Sequence, residues 1–490
     1  MNESGTRSAN GVGISAFASY VPAYEVDLAD WCEWRGDSWE KVNQVVGTSF
    51  RMRSHDENAY TMAATAVLRL IDRHQLDPAR IGFLALGTES STDNSAGAII
   101  VKGMVNDALK ARGSAPIARS CEVPEFKHAC LGGIYALKAA ARYLALDGAD
   151  RLAVVVSSDV AEYEKNTSGE VTQGAGAVAM LVEANARIAT IDLGRAGSAS
   201  DYRGVDFRKP FLRFMQQQPT ALAQPRDFPV FNGKYSTTCY VDEVLAALRE
   251  TFQRIDGNPA DFLRAQGAVF LHRPYLRMAE TGLAVSYLLA LALGNETDYD
   301  ELAGYAAEAE VDVEALVQEL STEQELNHPE RIADDSYPLA TRAARSLRGH
   351  RVFQALLTPL GTQAVGQVGN LYTASLPLWL AAGLEQAAAE GRELSGKSLL
   401  TIGYGSGDAA EVIPLTLVSG WEKAAAQSGV TEALADAVTL NHENYERLHN
   451  GQPVVALASP SVQRFVIDRV GQRNGAADDH GIEYYRLASC

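Results

Sequence analysis

The run His128-Ala129-Cys130-Leu131-Gly132-Gly133 leads directly into an alanine-rich amphipathic stretch, residues 134–148. The spacing predicts a buried helix with a thiol at its first turn. Free N–H groups and the positive end of a helix dipole stabilise an anion there. The thiol is therefore expected to lean towards thiolate, its reactive form. The small residues that follow let a substrate approach the backbone closely. A free cysteine is more often a small core residue, so the nucleophile reading depends on what else the chain supplies.

Outward from this helix, apolar runs alternate with amphipathic ones. Residues 13–20 read as a strand that ends before Pro22, and residues 62–74 have helical apolar spacing. Residues 81–86 form a continuous apolar run stopped by Gly87, and residues 151–157 form another. Such runs are the mark of buried strands. Residues 174–182 and 187–193 read as a strand pair. The second half repeats the order with a strand at 268–271, helices at 275–293 and 371–390, and strands at 398–404 and 412–418. Residues 464–470 and 482–487 flank a Gly/Asn/Asp-rich turn and read as a hairpin.

Helices alternating with buried strands imply an α/β fold with mixed sheets covered on both faces. A helix–strand–turn–strand order occurs at 131–182 and again at 371–418. We therefore expect two pseudo-symmetric α/β halves, residues 1–195 and 196–490, with the site between them. The boundary falls in the Gly/Ser-rich stretch 194–204.

The chain has 490 residues, 47% hydrophobic and 21% charged, enough for two domains. Its five cysteines, Cys32, Cys121, Cys130, Cys239 and Cys490, show neither a CxxC pair nor a His/Cys ligand spacing. Neither a disulfide framework nor a metal site is expected. Residues 1–12 are polar and unlike a signal peptide. The longest near-apolar run, 282–294, is 13 residues, whereas a membrane span needs about 20. A soluble cytoplasmic protein is expected, with no membrane partner.

Most of the net charge of −18 comes from residues 295–336, which hold fourteen acidic residues and one arginine. That stretch reads as a solvated helical excursion. Nucleic-acid binding is disfavoured, because a phosphate backbone needs a basic face. Arg342, Arg345, Arg348 and Arg351 follow at three-residue spacing, as a helical row able to pair with the acidic segment or to reach a ligand phosphate.

Three further clusters stand at predicted strand ends, where open α/β sheets hold their ligands. In Gly87-Thr88-Glu89-Ser90, Glu89 follows a buried strand by two residues. A sheltered carboxylate of this kind serves as a general acid or base. In His272-Arg273-Pro274-Tyr275, His272 closes a strand and Pro274 fixes the turn into a helix. The third cluster joins Gly369-Asn370-Leu371-Tyr372-Thr373 to Gly403-Tyr404-Gly405-Ser406-Gly407. Its Gly-Ser-Gly turn exposes N–H groups suited to a thioester oxyanion and fits neither phosphate-loop nor dinucleotide patterns. These are the parts for carbon–carbon bond formation between thioesters.

On these clusters the chain resembles the 3-hydroxy-3-methylglutaryl-CoA synthase family of the thiolase-fold superfamily. The resemblance extends to Tyr20-Val21-Pro22, Thr172-Gln173-Gly174-Ala175-Gly176-Ala177, Asp206-Phe207-Arg208-Lys209-Pro210, Asn232-Gly233-Lys234-Tyr235-Ser236 and Tyr484-Tyr485-Arg486-Leu487. It implies a thiolase-like fold and an acyltransferase that condenses acetyl-CoA with acetoacetyl-CoA. By the same resemblance, Cys130 carries the acetyl group, Glu89 is the acid/base, and His272 orients acetoacetyl-CoA. Asn370 contacts the acyl carbonyl, and Ser406 and Cys130 supply N–H groups. Tyr163 and Asp206 support the acyl pocket, Thr172, Pro274 and Tyr372 line it, and Arg273 and Arg277 reach CoA phosphates. The resemblance implies no tightly bound cofactor and no metal, a homodimer, and a place in the mevalonate pathway of isoprenoid biosynthesis.

Two departures stand out. Leu131 occupies a position where the family usually has tyrosine, and residues 295–336 match no motif. One branch of the family adds acetyl units to β-ketoacyl chains on an acyl-carrier protein, so a carrier-bound acceptor is the alternative. Ketoacyl synthases and thiolases share the fold and the cysteine, but Glu89 at the strand exit argues against them. A non-catalytic relative is disfavoured by intact Cys130, Glu89 and His272.

Overall fold

The strand Gly13–Tyr20 is buried at every position and lies at the middle of the sheet on which the molecule is built. The computed structural model describes residues 11–91, 96–204, 206, 228–229, 232–324, 326, 336–454, 463–473 and 478–488. Across the sheet the order is Ala268–Leu271, Ser398–Gly405, Ala409–Leu417, Ala189–Ile191, Gly13–Tyr20, Gly174–Glu183, Leu152–Ala161, Ile81–Gly87 and Glu125–Phe126. A tenth strand, Gly197–Ser200, pairs with Ala409–Leu417.

Two like units are recognisable in that order. In the first half Ile81–Gly87 runs parallel to Leu152–Ala161, which runs antiparallel to Gly174–Glu183. In the second, Ala268–Leu271 runs parallel to Ser398–Gly405, which runs antiparallel to Ala409–Leu417. The short strand Ala189–Ile191 bonds to Gly13–Tyr20 on one side and to Ala409–Leu417 on the other, joining the units. One pairing differs from expectation. Gly174–Glu183 and Ala189–Ile191 do not pair with each other, because Gly13–Tyr20 lies between them and bonds to both. The hairpin Arg464–Val470 with Glu483–Ala488 forms as expected.

The helix Gly132–Leu146 fills the space between the two units. Leu131 and Ile134 belong to the main core, which also holds Phe83, Val155, Phe270 and Ile402. Close approach requires small residues at the crossing. A Cβ added to Gly87 would stand 2.4 Å from Gly133 Cα, and one added to Gly133 would stand 2.1 Å from Ser157 Oγ. The glycines after Cys130 therefore seat the helix on the sheet, and replacing either would drive helix and strand apart. A second core covers the other face of the first unit under Ala59–Arg73 and Gly97–Ala111.

The acidic segment is built into the helical layer. Its helices Glu296–Glu308 and Val313–Ser321 bury Leu302, Leu316 and Leu320. Several acidic groups have fixed partners. Asp298 and Glu301 pair with Arg264, and Glu319 accepts from the N–H groups of Leu339 and Ala340 at the start of Pro338–Leu347. Residues 325 and 327–335 of this segment lie outside the described residues, as do 207–210 and Cys490. The arginine row is divided. Arg342 donates to the carbonyls of Ala309 and Glu310, whereas Arg351 begins a separate helix, Arg351–Leu356. None of the described helices is long and apolar enough to cross a membrane.

Candidate active site

The strand Ile81–Gly87 delivers Thr88, Glu89 and Ser90 to its carboxyl end. What fixes them is Asp159, fully buried on the adjacent parallel strand. Its Oδ1 accepts from Thr88 Oγ1 at 2.9 Å, Glu89 N at 2.8 Å, Ser90 N at 2.8 Å and Ser90 Oγ at 2.7 Å. Its Oδ2 accepts from Thr373 N at 2.9 Å and from the Thr373 hydroxyl. A buried carboxylate needs such a set of donors to remain charged. One side chain thereby ties the Glu89 turn of the first half to the Tyr372–Thr373 turn of the second.

Cys130 stands two residues ahead of the helix, whose N-cap is Leu131. Ala129 turns the chain there with φ of 40°. The Cys130 thiol donates to Glu89 Oε2 at 3.4 Å and packs with Ala161, Tyr163 and Tyr372. The expected bias to thiolate is corrected by this environment. Burial, then the negative charges of Glu89, Asp159 and Asp206, push the thiol well above its ordinary range. These outweigh the helix terminus, because charge in a dry site is barely screened. At rest Cys130 is a thiol hydrogen-bonded to a carboxylate, and its proton must leave as acylation proceeds.

The second half supplies His272 at the end of Ala268–Leu271. It is 1% exposed, and both ring nitrogens lack a hydrogen-bond partner among the described residues. Burial lowers its pKa to about 3, so the imidazole is neutral and has one N–H to donate. Its ring stacks on Tyr404 at 6.4 Å and 28°. Asn370 Oδ1 accepts from Tyr372 N at 2.9 Å and Ser375 Oγ at 3.1 Å, while Nδ2 reaches the Tyr163 hydroxyl at 3.4 Å. Thr172 receives the Asn370 N–H on its carbonyl at 2.9 Å. These groups converge on a narrow pocket lined by Cys130, Tyr163, Thr172, His272, Pro274, Asn370, Tyr372 and Ser406. Ser168, Gly169, Ser236, Tyr275, Met278 and Tyr404 complete the wall.

The chain matches the family models "Hydroxymethylglutaryl-coenzyme A synthase N terminal" over residues 8–187 and "C terminal" over residues 219–450. It belongs to the hydroxymethylglutaryl-CoA synthase family. It is 27% identical to the hydroxymethylglutaryl-CoA synthase of Haloferax volcanii, over 90% of this chain and 91% of that protein. It is 26% identical to the Enterococcus faecalis enzyme, over 89% and 91%. Among solved structures, MvaS in complex with 3-hydroxy-3-methylglutaryl coenzyme A is 27% identical, with a TM-score of 0.75, over 98% of this chain and all of that one. The HMG synthase of the curacin biosynthetic pathway has the same fold at 20% identity, with a TM-score of 0.69 over 97% and 100%.

Within this hydroxymethylglutaryl-CoA synthase fold, four of the residues singled out from sequence lie outside the pocket lining. Glu89 meets the thiol from beside it. Asp206 is buried behind Tyr404, whose hydroxyl is 3.1 Å from its Oδ2. Arg273 is buried against the Trp379 ring at 5.9 Å and donates to the Val46 carbonyl at 3.4 Å. Arg277 pairs with Glu280 at 3.2 Å and lines a neighbouring open pocket with Lys234, Arg345 and Arg348. That pocket adjoins the first through the Thr237–Tyr275 hydroxyl contact at 3.2 Å. Leu131, the departure from the family tyrosine, is fully buried and directed at Gly403 and Gly405 rather than into the pocket. Sequence reasoning missed Asp159, and it gave Ser236 and Tyr404 no role of their own although both stand in motifs it singled out. Ser236 is 2% exposed and its hydroxyl has no partner among the described residues. The one signal for Asp159 is an acid inside an apolar strand.

Proposed function

We propose that the chain condenses acetyl-CoA with acetoacetyl-CoA and hydrolyses the adduct to 3-hydroxy-3-methylglutaryl-CoA and CoA. The observation that carries this reading is the Cys130 thiol, 3.4 Å from Glu89 Oε2, on a pocket that a buried neutral His272 also lines. Cys130 attacks the acetyl thioester as its proton passes to Glu89, and CoA leaves with a proton. The Cys130 and Ser406 N–H groups hold the oxyanion. Glu89 then takes a proton from the methyl carbon of acetyl-Cys130. The resulting enolate adds to the ketone of acetoacetyl-CoA, polarised by the His272 N–H with Asn370 alongside. Glu89 returns its proton to the new alkoxide, and water releases the product from Cys130. Tyr163, Thr172, Pro274 and Tyr372 shape the acyl pocket.

We read the acceptor as free acetoacetyl-CoA. Arg277, Arg345, Arg348 and Lys234 beside the acyl pocket suit the phosphates of CoA. An acyl-carrier protein is the competing donor of the β-ketoacyl group, and equal concentrations of the two acceptors in one assay decide. A preference for the carrier above about tenfold in kcat/KM, or about 1.4 kcal/mol, would reject this choice.

The reading extends to a cytoplasmic homodimer of the mevalonate pathway with halves at 1–195 and 196–490. The four described cysteines are all free thiols, a mouse relative bears the name cytoplasmic hydroxymethylglutaryl-CoA synthase, and residue 195 falls in the gap between the two family models, which cover 8–187 and 219–450. Light scattering tests the dimer. The central test separates the chemical steps. Cys130→Ala abolishes acetylation by acetyl-CoA, whereas Glu89→Ala retains some acetylation and loses condensation by at least about 10². Intact-protein mass spectrometry reads both, and wild-type acetylation of Cys130→Ala would reject the assignment.

A further inference from the structure

Behind Tyr404 lies a buried polar cluster that none of the proposed chemical steps uses. Asp206 and Asp408 are 0% and 2% exposed. Oxygens of their carboxylates lie with Cys239 Sγ within 4.8 Å of one another. The Tyr404 hydroxyl is 2.8 Å from Asp408 Oδ1 and 3.1 Å from Asp206 Oδ2, and its single proton serves only one of them. Positive charge is scarce here. Arg203 reaches Asp408 at 3.2 Å, but its guanidinium also pairs with Asp242 and faces Asp201 at 3.7 Å and Glu243 at 3.9 Å. Four carboxylates thus surround one guanidinium, and Asp206 has no ion pair with it among the described residues. Asp206 Oδ1 is buried with no hydrogen-bond partner among the described residues. Two carboxylates this close in a dry interior do not both ionise.

We propose that Asp206 and Asp408 share one proton, and that this protonated pair, acting through Tyr404, is the form of the enzyme in which Cys130 is acylated. The inference rests on the reading of Cys130 as the acetyl carrier. Tyr404 is the link. Its ring lines the pocket, stacks on His272, and meets Tyr240 edge-on at 5.0 Å. The Tyr240 hydroxyl in turn donates to the His272 carbonyl at 3.1 Å. Loss of the shared proton adds a second negative charge behind this wall. Asp206 already disfavours ionisation of the Cys130 thiol, so a second charge beside it opposes both the departing thiol proton and the enolate. Burial and the Asp206 charge raise the Asp408 pKa to about 8, which brings the loss within reach of an ordinary assay. By this argument Asp408, at the turn between Ser398–Gly405 and Ala409–Leu417, is a positioning residue.

The test follows Cys130 acetylation by intact mass across the neutral to alkaline range in wild type, Asp408→Asn and Glu243→Gln. Asn is close to isosteric with Asp and donates to Asp206 as the protonated acid does. Wild type is expected to show a downward break near pH 8, and Asp408→Asn to lack it. Glu243→Gln removes a second raised carboxylate facing Arg203, whose pKa is about 7, and should keep the break; Asp242, also raised by burial, stays in place as the partner of Arg203. A wild-type profile without the break, or an Asp408→Asn profile that retains it, overturns the proposal. Infrared spectroscopy of the substrate-free protein gives a readout independent of activity. A protonated-carboxyl band that disappears near pH 8 in wild type, and is missing from Asp408→Asn, supports the shared proton. If Asp408→Asn fails to fold, the wild-type band decides alone, and its absence is a refutation. If the band titrates but Cys130 is never acetylated, the nucleophile reading has failed and the coupling with it. A divalent cation found in the purified protein, whose removal by chelator abolishes the break, would show that Asp206, Cys239 and Asp408 hold a metal instead.

Discussion

Asp159→Asn separates positioning from charge at this site. The carboxylate accepts four hydrogen bonds on Oδ1 and two on Oδ2. An asparagine has only one acceptor oxygen, and the less costly rotamer keeps it with the Glu89 and Ser90 turn. The amide then faces Thr373. Its hydroxyl can rotate to accept, but the Thr373 N–H loses its partner. A hydrogen bond to a charged group contributes about 1.5–3 kcal/mol, and each 1.36 kcal/mol is about tenfold in rate. A fall of about 10- to 100-fold in kcat/KM is therefore expected, in acetylation and condensation alike, because Glu89 touches the thiol as well as serving the later step. The charge has the opposite effect on the nucleophile. Asp159 is one of three carboxylates that raise the Cys130 thiol, so its loss should lower the apparent pKa for alkylation of Cys130. A slower enzyme with a more readily ionised thiol is the signature. Turnover within twofold of wild type, or a thiol pKa that rises, would refute the reasoning.

His272→Ala should raise the KM for the acceptor at least about tenfold while acetylation stays within about threefold. Because burial holds the His272 pKa to about 3, no limb of the pH profile between about pH 5 and 8 should vanish in this variant. Arg348→Ala should raise the KM for CoA thioesters about tenfold with kcat unchanged, more so at low salt. An equal effect on a pantetheine thioester, which lacks the nucleotide phosphates, would count against a phosphate role. Leu316→Ala in the acidic segment should cost about 2–5 kcal/mol of stability, as large-to-small core changes do. Glu314→Gln on the exposed face should change stability by less than about 0.5 kcal/mol. Denaturation with turnover measured on the folded fraction checks both, and loss of chemistry in folded Glu314→Gln would place the segment in catalysis.

The strands were legible where burial on both faces leaves a continuous apolar run. Ile81–Gly87 and the first five residues of Leu152–Ala161 are of that kind, and neither needs knowledge of its neighbours to be recognised. What a single chain segment does not carry is pairing. Two adjacent apolar runs at 174–182 and 187–193 look like a hairpin, yet the central strand enters from residues 13–20 and separates them. The acidic segment misled for a related reason. Its charge suggested a solvated excursion, but Leu316 and Leu320 stand one helical turn apart and, with Leu302 on the preceding helix, bury a face against the molecule, while Arg264 and the start of helix Pro338–Leu347 receive its carboxylates.

The site was legible in its nucleophile, acid/base and histidine because each stands at a strand or helix end, where a polar residue interrupts an apolar pattern. The electrostatics were not, because they are set across strands. Asp159 shows why. It sits in Leu-Ala-Val-Val-Val-Ser-Ser-Asp-Val-Ala, residues 152–161, where an acid within a buried strand must find donors or lose its charge. That much follows from sequence. Which donors it finds depends on register. Gly87 pairs with Ser157 in the parallel ladder, and continuing that ladder by two residues brings Glu89 level with Asp159. A shift of one residue would have turned Asp159 to the opposite face of the sheet and left the Glu89 turn without its anchor. The same dependence explains why the helix-terminus argument failed for Cys130. The nucleophile's own helix favours the thiolate, whereas the charges that hold the thiol proton belong to Glu89, Asp159 and Asp206 on three other segments. At this site the residues that react can be read from local pattern, and their protonation follows only once the sheet has brought those segments together.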